Sequence, residues 1–361
     1  MIFMRKLLVL PIILLHCFSV ANGQGCVAVK NLAGFGQFAA LGFKETPDTW
    51  SLDINNRYFN AFQLFQGSNK IPQDGNFLYE YAVNFELSKV LANGWSLSFD
   101  LPIAVNSAKG TFSDGEQHYQ HSFGVSDIRF TVYKWLLDMK VPRRGNIQFG
   151  LGLKFPTGNY HSEDYWYYGG TPDMKSLVPV NVAIQLGDGG TGITTALNAF
   201  YIFNRTVSVY ANLFYLISPV NTNGVLAYPP GALPPSVDSL NAQTTNNVNS
   251  VPDNYTLRAG ANFTFDKLVL TAGLRYEGAP AHDLIGEDDG LRRVGHIFSA
   301  EPGVEYKFKK AILYGFVTIP IQRKTIETVP DERQEAITGV PFITPGHFAN
   351  IVYYLGYTFT F

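Results

Sequence analysis

Charge is scarce in this sequence. Asp, Glu, Lys and Arg make up 16% of its 361 residues and sum to a formal −2, where soluble domains carry about 25% charged residues. With no basic patch or stripe, the chain lacks the electrostatic footprint of a nucleic-acid binder. Cysteine is scarcer still. Cys17 and Cys26 are the only two, and the first lies in a segment expected to be removed, so no internal disulfide can form. After residue 23 there is no apolar run of the ~20 residues that a membrane-spanning helix needs. Phosphate-cradling glycine loops, zinc-ligand spacings and energy-coupling segments are missing too. These absences exclude a helical membrane protein, a disulfide-stapled secreted domain and a nucleotide-driven pump. No cofactor and no metal is expected.

What the chain does have is aromatics, at 14%, and 34 glycines. It opens "MIFMRKLLVLPIILLHCFSVANGQGC". Arg5 and Lys6 precede an apolar run from Leu7 to Leu15, and Ala21-Asn22-Gly23 is a small-residue cleavage site. This reads as a secretory signal over 1–23. Lipid attachment at Cys26 is disfavoured, because Gly23-Gln24-Gly25 lacks the expected leucine.

The dominant hydrophobic period beyond the signal is two. "WSLSFDLPIAV" (95–105) sets Trp95, Leu97, Phe99, Leu101, Ile103 and Val105 against Ser96, Ser98, Asp100, Pro102 and Ala104. "NIQFGLGLKF" (146–155) and "YTLRAGANFTF" (255–265) alternate in the same way. Twelve such segments are expected, at 49–64, 77–88, 95–106, 123–137, 146–156, 191–203, 206–218, 254–265, 268–277, 296–308, 311–322 and 347–361. The connections alternate strictly between short, such as "NR", "DK" and "KK", and long, such as 157–190 and 219–253. Short and long turns at opposite ends of an even number of strands mark an outer-membrane barrel. The fold class expected is therefore all-β: a transmembrane antiparallel up-and-down barrel of about twelve strands over 47–361, with both termini periplasmic. A soluble sandwich would also alternate, but it would not place large aromatics near the strand ends, where a bilayer interface lies. Residues 178–186, "VPVNVAIQL", also alternate and are assigned to the third outer loop as a strand extension. Residues 24–46 are either a periplasmic segment or a plug in the lumen.

The chain ends "YYLGYTFTF". Tyr353, Leu355, Tyr357, Phe359 and Phe361 form one apolar face running to the last residue. This strand must pair with the first to remove both sheet edges. The ending also resembles the C-terminal signal of bacterial outer-membrane proteins, which implies recognition by the outer-membrane assembly machinery.

Charges placed on the polar faces should line the lumen, because at mid-depth in lipid each costs about 2–4 kcal/mol. They are Glu80, Glu86, Asp100, Arg129, Lys154, Arg258, Arg275, Glu277, Glu301, Glu305 and Lys307. Either they set the polarity of a permeation path or they lock across a filled interior, as Arg258, Arg275 and Glu301 would. Tyr165, Trp166, Tyr167 and Tyr168 in the third outer loop could stack on an aromatic solute or pack on the rim. His118 and His121 form a weak metal pair, and Asp283, Glu287, Asp288 and Asp289 a weak cation cluster. Ser122 beside His121 is the only loose nucleophile–base candidate, and no motif surrounds it, so the chain is not expected to be an enzyme.

At "FGVSDIRFTVYKWLL" (123–137) and "GNIQFGLGLKFPTGNY" (145–160) the chain resembles the outer-membrane family of phenol-degradation (meta-pathway) transporters. Gly124, Asp127, Gly150, Gly152, Pro156, Thr157 and Gly158 match its pattern, and Ser126 replaces a glycine. "QLGDGGTG" (185–192) and "SAEPGVEYKF" (299–308) are similar to further segments of it. The resemblance implies a channel for small apolar or aromatic solutes in contact with outer-membrane lipid. The alternative is a non-conducting structural or adhesion barrel with a filled lumen. Glycines on the inward face, Gly150, Gly152, Gly260, Gly273, Gly303 and Gly356, are expected to leave room for opposing side chains or for a passage.

Deleting Phe361 is expected to lower the amount of folded barrel in the membrane fraction without changing selectivity. Heat-modifiable mobility on gels measures this, and an undiminished folded band would remove the targeting role.

Overall fold

A computed structural model describes residues 25–26, 48–138, 144–169 and 174–361. The signal segment and all of 24–46 except Gly25–Cys26 lie outside the described residues. The barrel strands are β1 (Trp50–Gln66), β2 (Phe77–Val90), β3 (Trp95–Thr111), β4 in two pieces (Gln117–Val125 and Ile128–Trp135), β5 (Gly145–Phe155) and β6 (Gly192–Ile202). They continue with β7 (Val207–Ile217), β8 (Asn254–Phe265), β9 (Leu268–Ala279), β10 (Gly295–Lys307), β11 (Ala311–Thr325) and β12 (Gly346–Thr360). Each pairs antiparallel with its sequence neighbours, and β12 pairs with β1 from Gly346↔Phe65 to Thr360↔Ser51. The result is a closed twelve-stranded transmembrane barrel.

The tight turns are made by residues that tolerate the left-handed backbone. Asp266, at φ 53°, turns β8 into β9, and Asn93, at φ 59°, followed by Gly94, at φ 75°, turns β2 into β3. Asn and Asp reach this region because their short polar side chains bond locally. The long connections carry two helices, α1 (Pro235–Gln243) and α2 (Val329–Thr338). The second is fixed by a capping box between Thr328 and Asp331, which satisfies two otherwise orphaned amides.

Alternation sorts the side chains as expected. On β12 the outward Tyr353, Leu355, Tyr357 and Phe359 are exposed while Val352, Tyr354 and Thr358 are buried. Trp50 and Trp95 sit at the short-turn end, each under a lysine: Lys89 at 5.1 Å and Lys134 at 4.9 Å from the ring centre. This is the position for an interfacial aromatic with a snorkelling cation.

The expected fourth strand, 123–137, is broken and extends further than its pattern. Its outer piece pairs only with β3, and its inner piece pairs with both β3 and β5. Pro102 on β3 explains the break. It accepts a bond from the Ser126 amide at 2.8 Å but has no N–H to return. The ladder stops there and Asp127 leaves it. A second departure lies at the closing seam. Pairing of β11 with β12 ends at Thr318↔Val352, although both strands continue with their other neighbours. The Arg323 guanidinium covers the vacated edge by donating to the Ala349 and Asn350 carbonyls at 3.1 and 3.0 Å. Gly25–Cys26 pairs in parallel with His347–Phe348 on the same strand end.

Of the two uses expected of the inward glycines, room for side chains and room for a passage, the structure shows the first. A methyl group built on Gly150 would overlap the Tyr133 ring, one on Gly303 the Phe316 ring, and one on Gly356 the Tyr314 ring. Tyr210 lies over both Gly260 and Gly273. Each ring comes from an adjacent strand and lies flat along the wall, so the glycines are moulds for neighbouring aromatics. Gly152 is instead crowded by Thr131 and Thr194.

Gly356→Ala is expected to push the Tyr314 ring off the wall and break its hydroxyl bonds to Asp53 (2.7 Å) and Asn55 (2.8 Å). A loss of about 1–3 kcal/mol in barrel stability should follow. Gly315→Ala, which meets only the Tyr354 carbonyl at 3.5 Å, should stay within about 0.5 kcal/mol. Equilibrium unfolding in detergent compares the two.

Candidate functional site in the barrel interior

The interior carries charges of both signs, almost all hydrogen-bonded to near neighbours. Glu80, Asp100, Lys154, Arg258, Arg275, Glu277, Glu301 and Glu305 are buried, while Glu86, Arg129 and Lys307 are half-buried. Arg57, missed as a candidate, pairs with Glu80. Arg129 donates to Asp100, with its Nε at 3.0 Å. Arg258 and Arg275 face each other in the β8–β9 register and share Glu301 between them, and Arg275 also binds Glu277 at 2.8 Å. All these partners lie on the same strand, on neighbouring strands or two strands apart. The ion pairs therefore run along the wall, and Arg258, Arg275 and Glu301 do not lock across the bore. Glu305 makes no ion pair among the described residues.

An amide ladder continues the arginine row. Gln148, Asn198, Asn212, Arg258 and Arg275 are register partners across β5 to β9. Asn198 donates to Gln148 and Asn212 to Asn198, both at 3.0 Å. Cross-strand pairs of this kind add roughly 0.2–1 kcal/mol each.

The third long loop enters the interior. Residues 175–179 form a short strand against 163–167, so the alternation seen in the sequence is partly used. The rest of 178–186 is not a strand extension. Asn181 caps a single 3₁₀ turn over Val182–Ile184, and Val180, Ile184 and Leu186 are buried. Val180 and Ile184 pack with Phe59, Leu78, Ile312, Tyr314, Phe316 and Tyr354, and Leu186 packs on Ala82 and Ala104. Inward polar groups on β3 and β4 hold the turn. Asn106 and Ser122 both donate to the Ile184 carbonyl, and Gln120 accepts from the Asn181 amide at 3.1 Å. Ser122 thus faces inward while the His121 side chain is 65% exposed on the other face. Sequence neighbours on opposite faces of a strand cannot act as nucleophile and base.

The motif segments meet at the break in β4. Asp127 accepts the Gly158 amide at 3.0 Å, the Asp188 amide at 3.3 Å and the Lys154 ammonium at 3.3 Å. Lys154 also pairs with Asp188. Thr157 bonds the Ser126 carbonyl and the Ile128 amide. Gly158 and Gly187 touch so closely that a methyl on either would overlap the other's backbone. "SD", "PTG" and "QLGDGG" form one latch that pins the descending loop to the wall. Beside it lies a cavity of about 220 Å³. Arg57, Asp127 and Lys154 line its charged side, and Ala104, Leu186 and Phe214 its apolar side.

The outer-loop candidates take structural roles. Trp166 is buried, stacks on Phe112 at 4.2 Å and donates to the Ser113 hydroxyl. Tyr167 stacks on His118 at 3.8 Å, and His118 bonds Asp114 at 2.6 Å. Tyr165 stays exposed under Lys175 at 4.4 Å, and Tyr168 packs against the same aromatic cluster. Three of the four acids of 283–289 bind cations of the chain itself, while Glu287 accepts from the Asn221 amide at 3.3 Å. Arg292 holds Asp283 at 2.9 Å and Asp288 at 3.2 Å, and Arg333 holds Asp289. Burial pushes the Asp283 carboxyl above its ordinary value despite Arg292. For Asp289 burial acts in the same sense, but the bond and charge of Arg333 outweigh it and hold the carboxyl below its ordinary value.

No protein-family model matches the sequence, and no curated protein matches it. Among solved structures, the fold is similar to that of the COG4313 outer membrane channel from Pseudomonas putida F1, with a TM-score of 0.59 at 12% identity over 89% of this chain and 98% of that one. The CymD monoaromatic hydrocarbon channel aligns over 95% of this chain and 97% of its own, with a TM-score of 0.45 at 10% identity. At 12% identity the likeness to the COG4313 channel is one of fold.

Asp127→Ala is expected to speed amide exchange at Gly158 and Asp188 by about tenfold or more, the weight of a charge-assisted hydrogen bond. The β6–β7 ladder should be unchanged in the same hydrogen-exchange experiment.

Proposed function

We propose that the chain is an outer-membrane channel for the passive passage of small apolar or aromatic solutes. The long loops would face the outside and both termini the periplasm. The observation that carries this reading is the arrangement of the interior: ion pairs lie along the wall rather than across it. That leaves the amphipathic cavity beside the descending loop. A solute path needs a lining that wets polar atoms without binding them tightly and an apolar strip along which rings can slide. Ala104, Leu186 and Phe214 supply that strip, and the paired charges that line the cavity present a largely neutralised wall. Membership of the phenol-degradation transporter family is part of this proposal, supported by the meeting of Asp127, Thr157, Gly158, Gly187 and Asp188 at one latch.

In this reading Tyr353, Leu355, Tyr357, Phe359 and Phe361 contact outer-membrane lipid and are read by the assembly machinery. For 24–46 the choice lies between a periplasmic segment and a lumen plug, and the pairing of Gly25–Cys26 at the long-loop end of β12, whereas β1 starts at the short-turn end, supports the plug. Tyr165, exposed on the outer loop, is the aromatic residue that would meet a solute first.

One observation favours the non-conducting alternative. Val180 and Ile184 join an apolar cluster drawn from β1, β2, β3, β11 and β12, which fills one side of the interior.

Replacing 180–186 by a Gly–Ser linker is expected to raise conductance in planar bilayers by about twofold or more, since the bore would then be set by the wall. Liposome swelling by the unaltered protein should be faster with a small aromatic alcohol than with a sugar of similar size. Equal rates would remove the aromatic preference. No swelling, before or after the loop replacement, would leave the filled scaffold.

A further inference from the structure

Three carboxylates stand side by side in the inner part of the barrel. Asp53 is the register partner of Glu86 across β1–β2, and Glu86 is the partner of Asp100 across β2–β3. Like charges directly opposite one another destabilise a sheet, so a row of three needs compensation. Asp100 has it in Arg129, its own partner on β4. The other two have only neutral donors. Asp53 accepts from the Tyr314 and Thr358 hydroxyls. Glu86 accepts from Ser88 at 3.1 Å and Ser98 at 2.9 Å, both on the same carboxylate oxygen. The row thus sets three carboxyl groups beside one cation. Leaving buried charge unmatched is expensive.

The row borders a small cavity, of about 20 Å³, that other residues also face. Asn55 and Thr194 line it and are only 1% and 2% exposed. The Asn55 Oδ1 and the Thr194 Oγ1 have no hydrogen-bond partner. A space the size of a single water or small ion is thus lined by the carboxyl row and by two residues with an unspent buried oxygen. Arg129 lines it too, but its guanidinium is taken up by Asp100, so the Asp53 and Glu86 carboxyls suit the site to a small cation. Among the described residues no three acidic or imidazole side chains converge as a chelate would require. A divalent ion held tightly in a cage is therefore not the fit. A weakly held monovalent cation is, with part of its hydration replaced by Asp53, Glu86, Asn55 and Thr194 oxygens. Rings of acidic side chains select cations in other pores by the same means.

We propose that the Asp53–Glu86–Asp100 row, with Asn55 and Thr194, is a monovalent-cation site that makes the channel select cations over anions. The selectivity rests on the channel reading above; the site itself does not.

Reversal potentials under a KCl gradient test the selectivity. The unaltered protein should favour potassium over chloride by about threefold or more, and Asp53→Asn with Glu86→Gln should bring the ratio close to one. Glu305→Gln removes one lumenal carboxylate away from the row and should leave most of the preference. A ratio near one in the unaltered protein, or an equal fall in Glu305→Gln, would overturn the proposal. Crystals grown with thallium(I) test the site without conduction. Anomalous density between Asp53, Glu86 and Thr194 is expected, and its absence would overturn the site. A protein that does not conduct but binds thallium there would refute the channel reading and retain the site. One that conducts without selectivity and shows no thallium there would retain the channel reading and refute the site.

Discussion

Closure of the backbone ladder is the constraint on which the rest depends. A peptide N–H or C=O facing hydrocarbon without a partner costs several kcal/mol, and only a sheet joined to itself removes both edges. The pairing of Gly346–Thr360 with Trp50–Gln66 does this. It also explains why the chain can end on a strand with an apolar outer face: the terminus lies in the wall, with the Phe361 amide bonded to the Trp50 carbonyl at 2.9 Å. Once the wall is closed, alternation alone sends Tyr353 and Leu355 outward and Tyr354 inward.

Closure leaves the interior as a separate problem, because a cylinder lined with polar side chains must satisfy them without water in bulk. The barrel solves it mostly by lateral pairing. Arginines bind carboxylates on their own strand or on strands close by, amides form a ladder from Gln148 to Asn212, and flat rings lie over glycines. The descending loop uses the same material. Its carbonyl at Ile184 is met by Asn106 and Ser122, so an apolar turn can sit in a polar interior without orphaned backbone groups.

Strand number and face assignment were legible in the residues, since a period of two decides both, but the outer strand ends were not: β3 runs to Thr111 and β4 starts at Gln117, beyond the expected 106 and 123. Phe99 and Leu151 differ from Ser98 and Gly150 in a way that only a two-faced sheet explains. The interruption at Ser126–Asp127 was not legible from its own segment. Its cause is Pro102 on the neighbouring strand, and strand pairing must be known before such a cause can be seen. The inward course of 180–187 was hidden for a related reason. "VPVNVAIQL" has the right period for a strand, and what overrides it is tertiary: apolar partners such as Phe59 and Phe316 waiting on the far wall. Of the interior charges, the outward–inward pattern gave the positions but not the pairings, because register is a property of two strands. Arg57 was passed over although it alternates with the same face, and a stricter use of the pattern would have found it.

The pairing of a ring with a neighbouring glycine makes calibre a local property. In most barrels the girth follows from how many ribbons there are and how steeply they lean. Here Tyr133 with Gly150, Phe316 with Gly303 and Tyr314 with Gly356 add flat thickness at chosen heights. Evolution or design could widen or narrow one storey of the tube by exchanging both members of such a couple, leaving the number and tilt of the staves untouched.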